Sequence, residues 1–144
     1  MSDDISFLRN VPIFADLEEK DFQRILKLGL RQKYKKGNIV VLEQESGAAL
    51  FVIITGKVKV VRTDEDGREV ILSMFGPGDF FGEGCLAGQP RRMATASALS
   101  ASTVLVIEKP QMTEMLHKEP ALADRFLVHM LARNIRIEED LIDQ

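Results

Sequence analysis

The chain has 144 residues, 45% of them hydrophobic and 28% charged, which is one domain's worth of ordinary globular composition and argues against disorder. Nineteen Lys and Arg against 22 Asp and Glu give a net charge of -3, the wrong sign for a domain that works by neutralising a phosphate backbone. One cysteine, Cys85, excludes an internal disulfide and four-cysteine metal sites, and two histidines, His117 and His129, make a multi-histidine metal enzyme a poor fit.

In chain order, the first zone reads as helix. Ile5 to Leu8 forms a short candidate that Pro12 interrupts. A second helix is expected with Asp16 as its cap and Glu18 and Glu19 in its first turn. Leu17, Phe22, Ile25, Leu26 and Leu28 form its apolar face, and Gly29 stands where a C-terminal cap belongs.

From about Arg31 to Ile107 the pattern changes to strands and turns. Arg31, Lys33, Lys35 and Lys36 mark a charged sheet edge. Gly37 then leads into Ile39 to Leu42. Ala48 to Ile54 is the longest apolar run, at seven residues far short of a membrane span, and the acidic Met-Ser-Asp-Asp start, followed by no apolar h-region, gives no expectation of a signal peptide. Thr55-Gly56 between Leu50–Ile54 and Val58–Val61 is a hairpin signal. Asp64-Glu65-Asp66-Gly67 reads as a hairpin tip leading to Glu69–Leu72, because the bidentate glutamate of a calcium loop is missing. Thr95–Leu99 and Thr103–Ile107 follow, and short strands about ten residues apart predict an antiparallel sandwich or barrel.

The third zone is helical. Pro110 opens a helix to His117, and Pro120 opens a longer one to the chain end. Leu127, Met130, Asn134, Ile137 and Leu141 follow 3-4-3-4 spacing, the seam of a coiled coil, and a single asparagine on a seam fixes register. These five residues are the expected homodimer interface. Val128, Leu131, Ile135 and Ile142 are expected to pack on the barrel. Glu138, Glu139, Asp140 and Asp143 crowd the helix end, which is unfavourable for a C-terminus and predicts a helix that continues in a longer parent.

The chemistry lies in Gly76–Ala98, GPGDFFGEGCLAGQPRRMATASA. Gly82, Gly84 and Gly88 let backbone approach a ligand, and a helical turn over Glu83–Leu86 offers free amides to an anion. Arg91 and Arg92 carry forks suited to phosphate. A carboxylate beside a phosphate site needs another task, and accepting a ribose hydroxyl is one. Amides, an arginine and an acid together point to a phosphorylated sugar.

Phe81-Gly82-Glu83, Leu86 and Arg92-Met93-Ala94-Thr95-Ala96, with Glu83 and Arg92 nine apart, resemble the phosphate-binding cassette of cyclic-nucleotide-binding domains. The order of elements is similar to the sensor half of the catabolite-activator (CRP/FNR) transcription regulators. The resemblance implies a mainly β fold with flanking helices: an eight-stranded jelly-roll, a cupin-like double-stranded β-helix, with a long dimerising C-terminal helix. It implies one domain over 1–144, with a lead-in over 1–30, a barrel over 31–107 holding a cassette over 81–96, and helices over 110–144. It implies that Arg92 pairs with the cyclic phosphate and that Glu83 and Gly82 meet the ribose. Gly84, Cys85, Leu86, Met93 and Ala94 would line phosphate and sugar, and Val60 and Leu72 would flank the base. Met93 offers no hydroxyl to a guanine amino group, which favours cyclic AMP over cyclic GMP, while Glu138 and Glu139 align with adenine-contacting positions and Asn134 replaces a bracing arginine. The expected protein is a cytoplasmic, non-enzymatic cyclic-AMP sensor without a metal, and this chain alone binds no specific DNA. The alternative is a dimerisation and partner-binding module whose cassette binds no nucleotide.

Overall fold

The computed structural model describes residues 2–15, 17–41, 49–83 and 94–142. Helix α1 (Ser2–Arg9) is followed by a single 3-10 turn (Pro12–Phe14) and helix α2 (Glu19–Leu28). Eight strands follow among the described residues: β1 (Leu30–Tyr34), β2 (Ile39–Val41), β3 (Ala49–Thr55), β4 (Val58–Thr63), β5 (Glu69–Phe75), β6 (Phe80–Phe81), β7 (Thr95–Ala98) and β8 (Ser102–Glu108). Helices α3 (Lys109–Lys118) and α4 (Pro120–Ile142) close the chain. Prolines stand at the start of α3 and α4, where a missing amide costs nothing.

The strands form two antiparallel four-stranded sheets, β1-β8-β3-β6 and β2-β7-β4-β5. This is the mainly β architecture with flanking helices that the sequence led us to expect. The apolar run in β3 is explained by burial on both faces. Leu50 and Val52 face the helices, in a core with Leu8, Phe14, Phe22, Ile25, Leu105, Met112 and Leu122. Ala49, Phe51 and Ile53 face the other sheet, with Val58, Phe81, Ala96 and Val104. Alternation sends successive residues to opposite cores, so a doubly covered strand reads as continuously apolar.

Three local expectations are corrected. Asp16 lies outside the described residues, and α2 is capped instead by Glu18: the Asp21 carboxylate accepts the Glu18 amide at 3.3 Å and closes a reciprocal capping box. Gly29 stands at the cap but is extended, not left-handed. A Cβ there would meet Leu105 Cδ1 at 2.7 Å, so close approach to β8 is what favours glycine. Thr55-Gly56 is a tight turn, but β3 and β4 do not pair with each other; the chain changes sheets there. Gly56 has φ 92°, and a Cβ on it would lie 2.1 Å from Ser102 Oγ.

Two expectations hold. β1 is an edge strand with Arg31 and Lys33 exposed. β4 and β5 form a hairpin whose tip is closed by the Asp64 carboxylate, which accepts the amides of Asp66 (3.0 Å) and Arg68 (2.8 Å).

Helix α4 departs from its expected facing. Leu122 is buried, and Phe126 and Met130 pack against the helical core. Met130 is therefore turned partly toward its own chain, because the i, i+4, i+8 row on this helix is the one that meets the barrel. Val128 and Leu131, expected on the barrel, are exposed together with Leu127. The side chains of Asn134, Ile135, Ile137, Leu141 and Ile142 lie outside what is described. No helix among the described residues is long and apolar enough to cross a membrane.

Candidate ligand-binding site

The site is built around β6, a strand of two residues with two different tasks. It pairs with β3 through Phe51↔Phe81 and Val52↔Phe80. The Gly76-Pro77-Gly78-Asp79 turn delivers it. There the Asp79 carboxylate accepts the Gly76 amide at 2.8 Å, and the Gly78 amide reaches Ile53 O at 2.9 Å. Adjacent side chains on a strand point to opposite faces, so Phe80 and Phe81 enter different cores.

Phe81 points between the sheets. Its ring stacks on Phe51 at 5.0 Å and on Phe75 at 6.0 Å. Phe75 belongs to β5 of the other sheet, so this stack ties the start of the cassette to the β4–β5 hairpin. Phe80, 1% exposed, points to the helices. Its ring lies 5.3 Å from Phe126 and 5.0 Å from His129, both on α4. The sequence reading missed Phe80, Phe126 and His129 as members of this site. The adjacent aromatics of GDFF were the available signal, and only the strand's alternation gives them separate partners.

Beyond Phe81 the chain bends through Gly82, at φ 88°, into Glu83. A left-handed backbone favours glycine and lets the main chain turn off the sheet edge. Glu83 is half-buried. On the opposing sheet, Val60 of β4 sits opposite Ala96 of β7 and Ser73 of β5. It is half-buried and packs in the inter-sheet core. Leu72 is the extra residue of a bulge, where the register steps from Val60↔Ser73 to Val61↔Ile71, and it is 48% exposed. Ala94 is half-buried and immediately precedes β7. Val60, Leu72 and Ala94 therefore belong to three neighbouring strands or their ends, across the Phe81–Phe75 stack from β6. Gly84, Cys85, Leu86, Arg92 and Met93 lie outside the described residues.

An open groove of about 570 Å³ lies on the helical side, lined by Pro12, Ala121, Asp124, Arg125, Val128, His129 and Ala132. It shares no residue with the expected cassette and meets the site only through His129. Among the described residues no three His, Cys, Asp or Glu side chains group as metal ligands.

The cyclic nucleotide-binding domain model matches residues 31–119. The chain belongs to the cyclic nucleotide-binding domain family. The cyclic AMP receptor protein of Thermus thermophilus is 30% identical over 134 residues, covering 93% of this chain and 61% of that protein. A cGMP-dependent protein kinase of Drosophila melanogaster is 31% identical over 140 residues, covering 95% of this chain and 15% of the kinase. The crystal structure of the sensor domain of the transcriptional regulator DNR from Pseudomonas aeruginosa superposes with a TM-score of 0.81 at 26% identity, covering 93% of this chain and 91% of that one. The chain spans about three fifths of the Thermus relative, so the likeness concerns a binding module. The resemblance to CRP/FNR-type regulators read from the cassette residues is thereby supported across most of the chain. The kinase likeness covers a small share of that enzyme.

Proposed function

We propose that this chain is the cyclic-AMP-sensing domain of a CRP/FNR-type transcription regulator. Arg92 takes the cyclic phosphate, and Glu83 with the Gly82 backbone takes the ribose 2'-hydroxyl. Gly84, Cys85, Leu86, Met93 and Ala94 line the phosphate and sugar, while Val60 and Leu72 flank the base. The observation that carries this reading is the Phe81-Gly82-Glu83 corner: a left-handed glycine presents a half-buried carboxylate off the sheet edge, inside a region that matches the family. A carboxylate there is an acceptor for a sugar hydroxyl rather than a phosphate ligand.

The signal leaves through β6. A ligand that orders the residues after Glu83 shifts the population of β6 positions. Phe80 passes that shift to Phe126 and His129 of α4, and Phe81 passes it to β5. α4 is the output element and the homodimer helix, with Leu127 and Leu131 exposed along it. The protein works in the cytoplasm, without a metal, and without specific DNA contacts from this chain.

Calorimetric titration with cyclic AMP and cyclic GMP tests the reading. We expect saturable binding that favours cyclic AMP and disappears in Arg92→Ala. Heat from neither nucleotide, with the fold intact, would leave the alternative of a partner-binding module. That alternative draws its support from the exposed Leu127, Val128 and Leu131 face of α4.

A further inference from the structure

The net charge of -3 averages over two ends of the sandwich that differ. β4 carries the chain from Lys57 to the acidic tip Asp64-Glu65-Asp66, roughly 20 Å away. Salt at about 0.1 M screens charge over ~10 Å, so each end presents its own field. At the end away from the tip, three connections meet. The Gly37 amide donates to Ala98 O at 2.7 Å, and the Ala98 amide to Asn38 O at 2.9 Å. The Leu99 amide donates to Lys57 O at 2.8 Å, and Tyr34 pairs with Ser102. The β1–β2, β3–β4 and β7–β8 connections are thereby tied together, and they bring Lys35, Lys36 and Lys57 to one end, all exposed.

β1 leads into this end along a sheet edge. Arg31 lies opposite Leu105 and Lys33 opposite Thr103, and both are exposed on the helical side. No Asp or Glu occurs between Asp21 and Glu43, nor over 55–57 or 99–102. Lys33, Lys35, Lys36 and Lys57 make no ion pair among the described residues, whereas Lys20, Arg24, Lys59 and Lys118 each meet a carboxylate. Protection of a sheet edge accounts for Arg31 and Lys33. It does not account for Lys35, Lys36 and Lys57, which lie in connections with no open ladder to protect.

We propose that this end of the sandwich docks the phosphate backbone of a nucleic-acid duplex without reading its sequence. From Arg31 to Lys35 the chain advances roughly 13 Å. One strand of a duplex sets a phosphate about every 3.4 Å of axis, so about four phosphates run alongside. A row of that length matches an extended polyanion rather than a single anion. Tyr34, the aromatic of this stretch, is half-buried in the inter-sheet core and leaves no ring for base stacking. Lysines are flexible point charges that hold phosphate without the fork that reads base edges, so the contact positions a duplex and does not select it. Lysine is depleted from protein–protein interfaces, and Arg31–Asn38 exposes no large apolar side chain to anchor one.

The surface stands on charge and fold, so its test needs no cyclic nucleotide and is independent of the reading of the cassette. Binding of this chain to a mixed-sequence DNA duplex is followed by fluorescence anisotropy across a salt series. We expect sequence-independent binding in which log K falls with log salt by about 0.9 per phosphate neutralised, a slope of about −4 to −5 for Arg31, Lys33, Lys35, Lys36 and Lys57 together. A chain with Lys33→Gln, Lys35→Gln and Lys36→Gln should show a slope shallower by about 3. A chain with Arg62→Gln, Arg68→Gln and Lys118→Gln has the same net charge and should keep the wild-type slope. Lys57→Gln alone should make the slope shallower by about 1, which follows only if the connections meet as described. No binding at low salt overturns the proposal. So does an equal loss in the two triple variants, which would make net charge the cause. Poly-glutamate that displaces the duplex at equal charge concentration would assign the surface to acidic proteins and overturn it as well.

Discussion

Phe80 is the residue whose removal separates packing from communication. Its ring is fully buried and stands against Phe126 and His129 on one helix, while its backbone pairs with Val52. Phe80→Ala empties a full aromatic site, at about 3–5 kcal/mol. That is large enough to consume much of the ~5–15 kcal/mol a domain has, so it confounds relay with unfolding. Phe80→Leu is the sharper probe. It keeps most of the apolar volume and loses the ring–ring term of about 0.5–1.5 kcal/mol. A double-mutant cycle of Phe80→Leu with Phe126→Leu, by urea denaturation, should return a coupling of that size. The matching cycle of Phe81→Leu with Phe126→Leu should be additive within about 0.5 kcal/mol, because Phe81 stacks on Phe51 and Phe75 instead. Equal coupling in the two cycles, or none in the first, would refute the claim that β6 divides its side chains between the two cores. If the proposed relay also holds, Phe80→Leu retains cyclic-AMP binding and loses the ligand-dependent change in α4.

Three further outcomes follow from the geometry. Gly56→Ala combines a left-handed backbone with a Cβ 2.6 Å from Ala101 O, whereas Gly67→Ala, at φ 80°, has no atom within 4 Å. Thermal melts should therefore show about 1–2 kcal/mol lost at Gly67 and distinctly more at Gly56, and equal losses would contradict the clash. Lys118, and then Arg24, hold Glu114 below the ordinary carboxylate value. Its contribution is present above that value and fades as pH falls through the lowered one, so Glu114→Gln should flatten the acid limb of a stability–pH curve. A double Leu127→Glu, Leu131→Glu chain should sediment as a monomer with an unchanged melt, since both side chains are more than half exposed; a dimer that persists places the interface elsewhere.

The sequence exposed the class of fold because its signals are local. Turn residues at Gly37 and Asp64–Gly67 and prolines at Pro12, Pro110 and Pro120 act within a few residues of themselves, and the structure has an element boundary at each. The Thr55-Gly56 turn was legible as a turn but not as a change of sheet. Two strands that leave a tight turn in different layers look the same in sequence as a paired hairpin. The facing of α4 was hidden for a related reason. Leu127, Val128, Met130 and Leu131 cover so much of the helix surface that periodicity permits two assignments, and only the position of Phe80 beneath Phe126 chooses between them. The cassette residues were read from their resemblance to a family motif, and residues 84–93 of it lie outside what is described, while the placement of Phe80 and Phe81 in separate cores required the register of a two-residue strand.

Glu114 on α3 and Glu119 at its C-cap, five positions apart, depart from the ordinary carboxylate value in opposite directions. Lys118 and then Arg24 hold the first down, while desolvation and then the Asp21 charge raise the second. Falling pH therefore weakens the Arg24–Glu114–Lys118 tie between α2 and α3 and relieves the ionised Glu119 of its unfavourable surroundings. A global melt reports the difference of the two and can be nearly flat in pH while each group changes, so the contributions separate only when the readout is local.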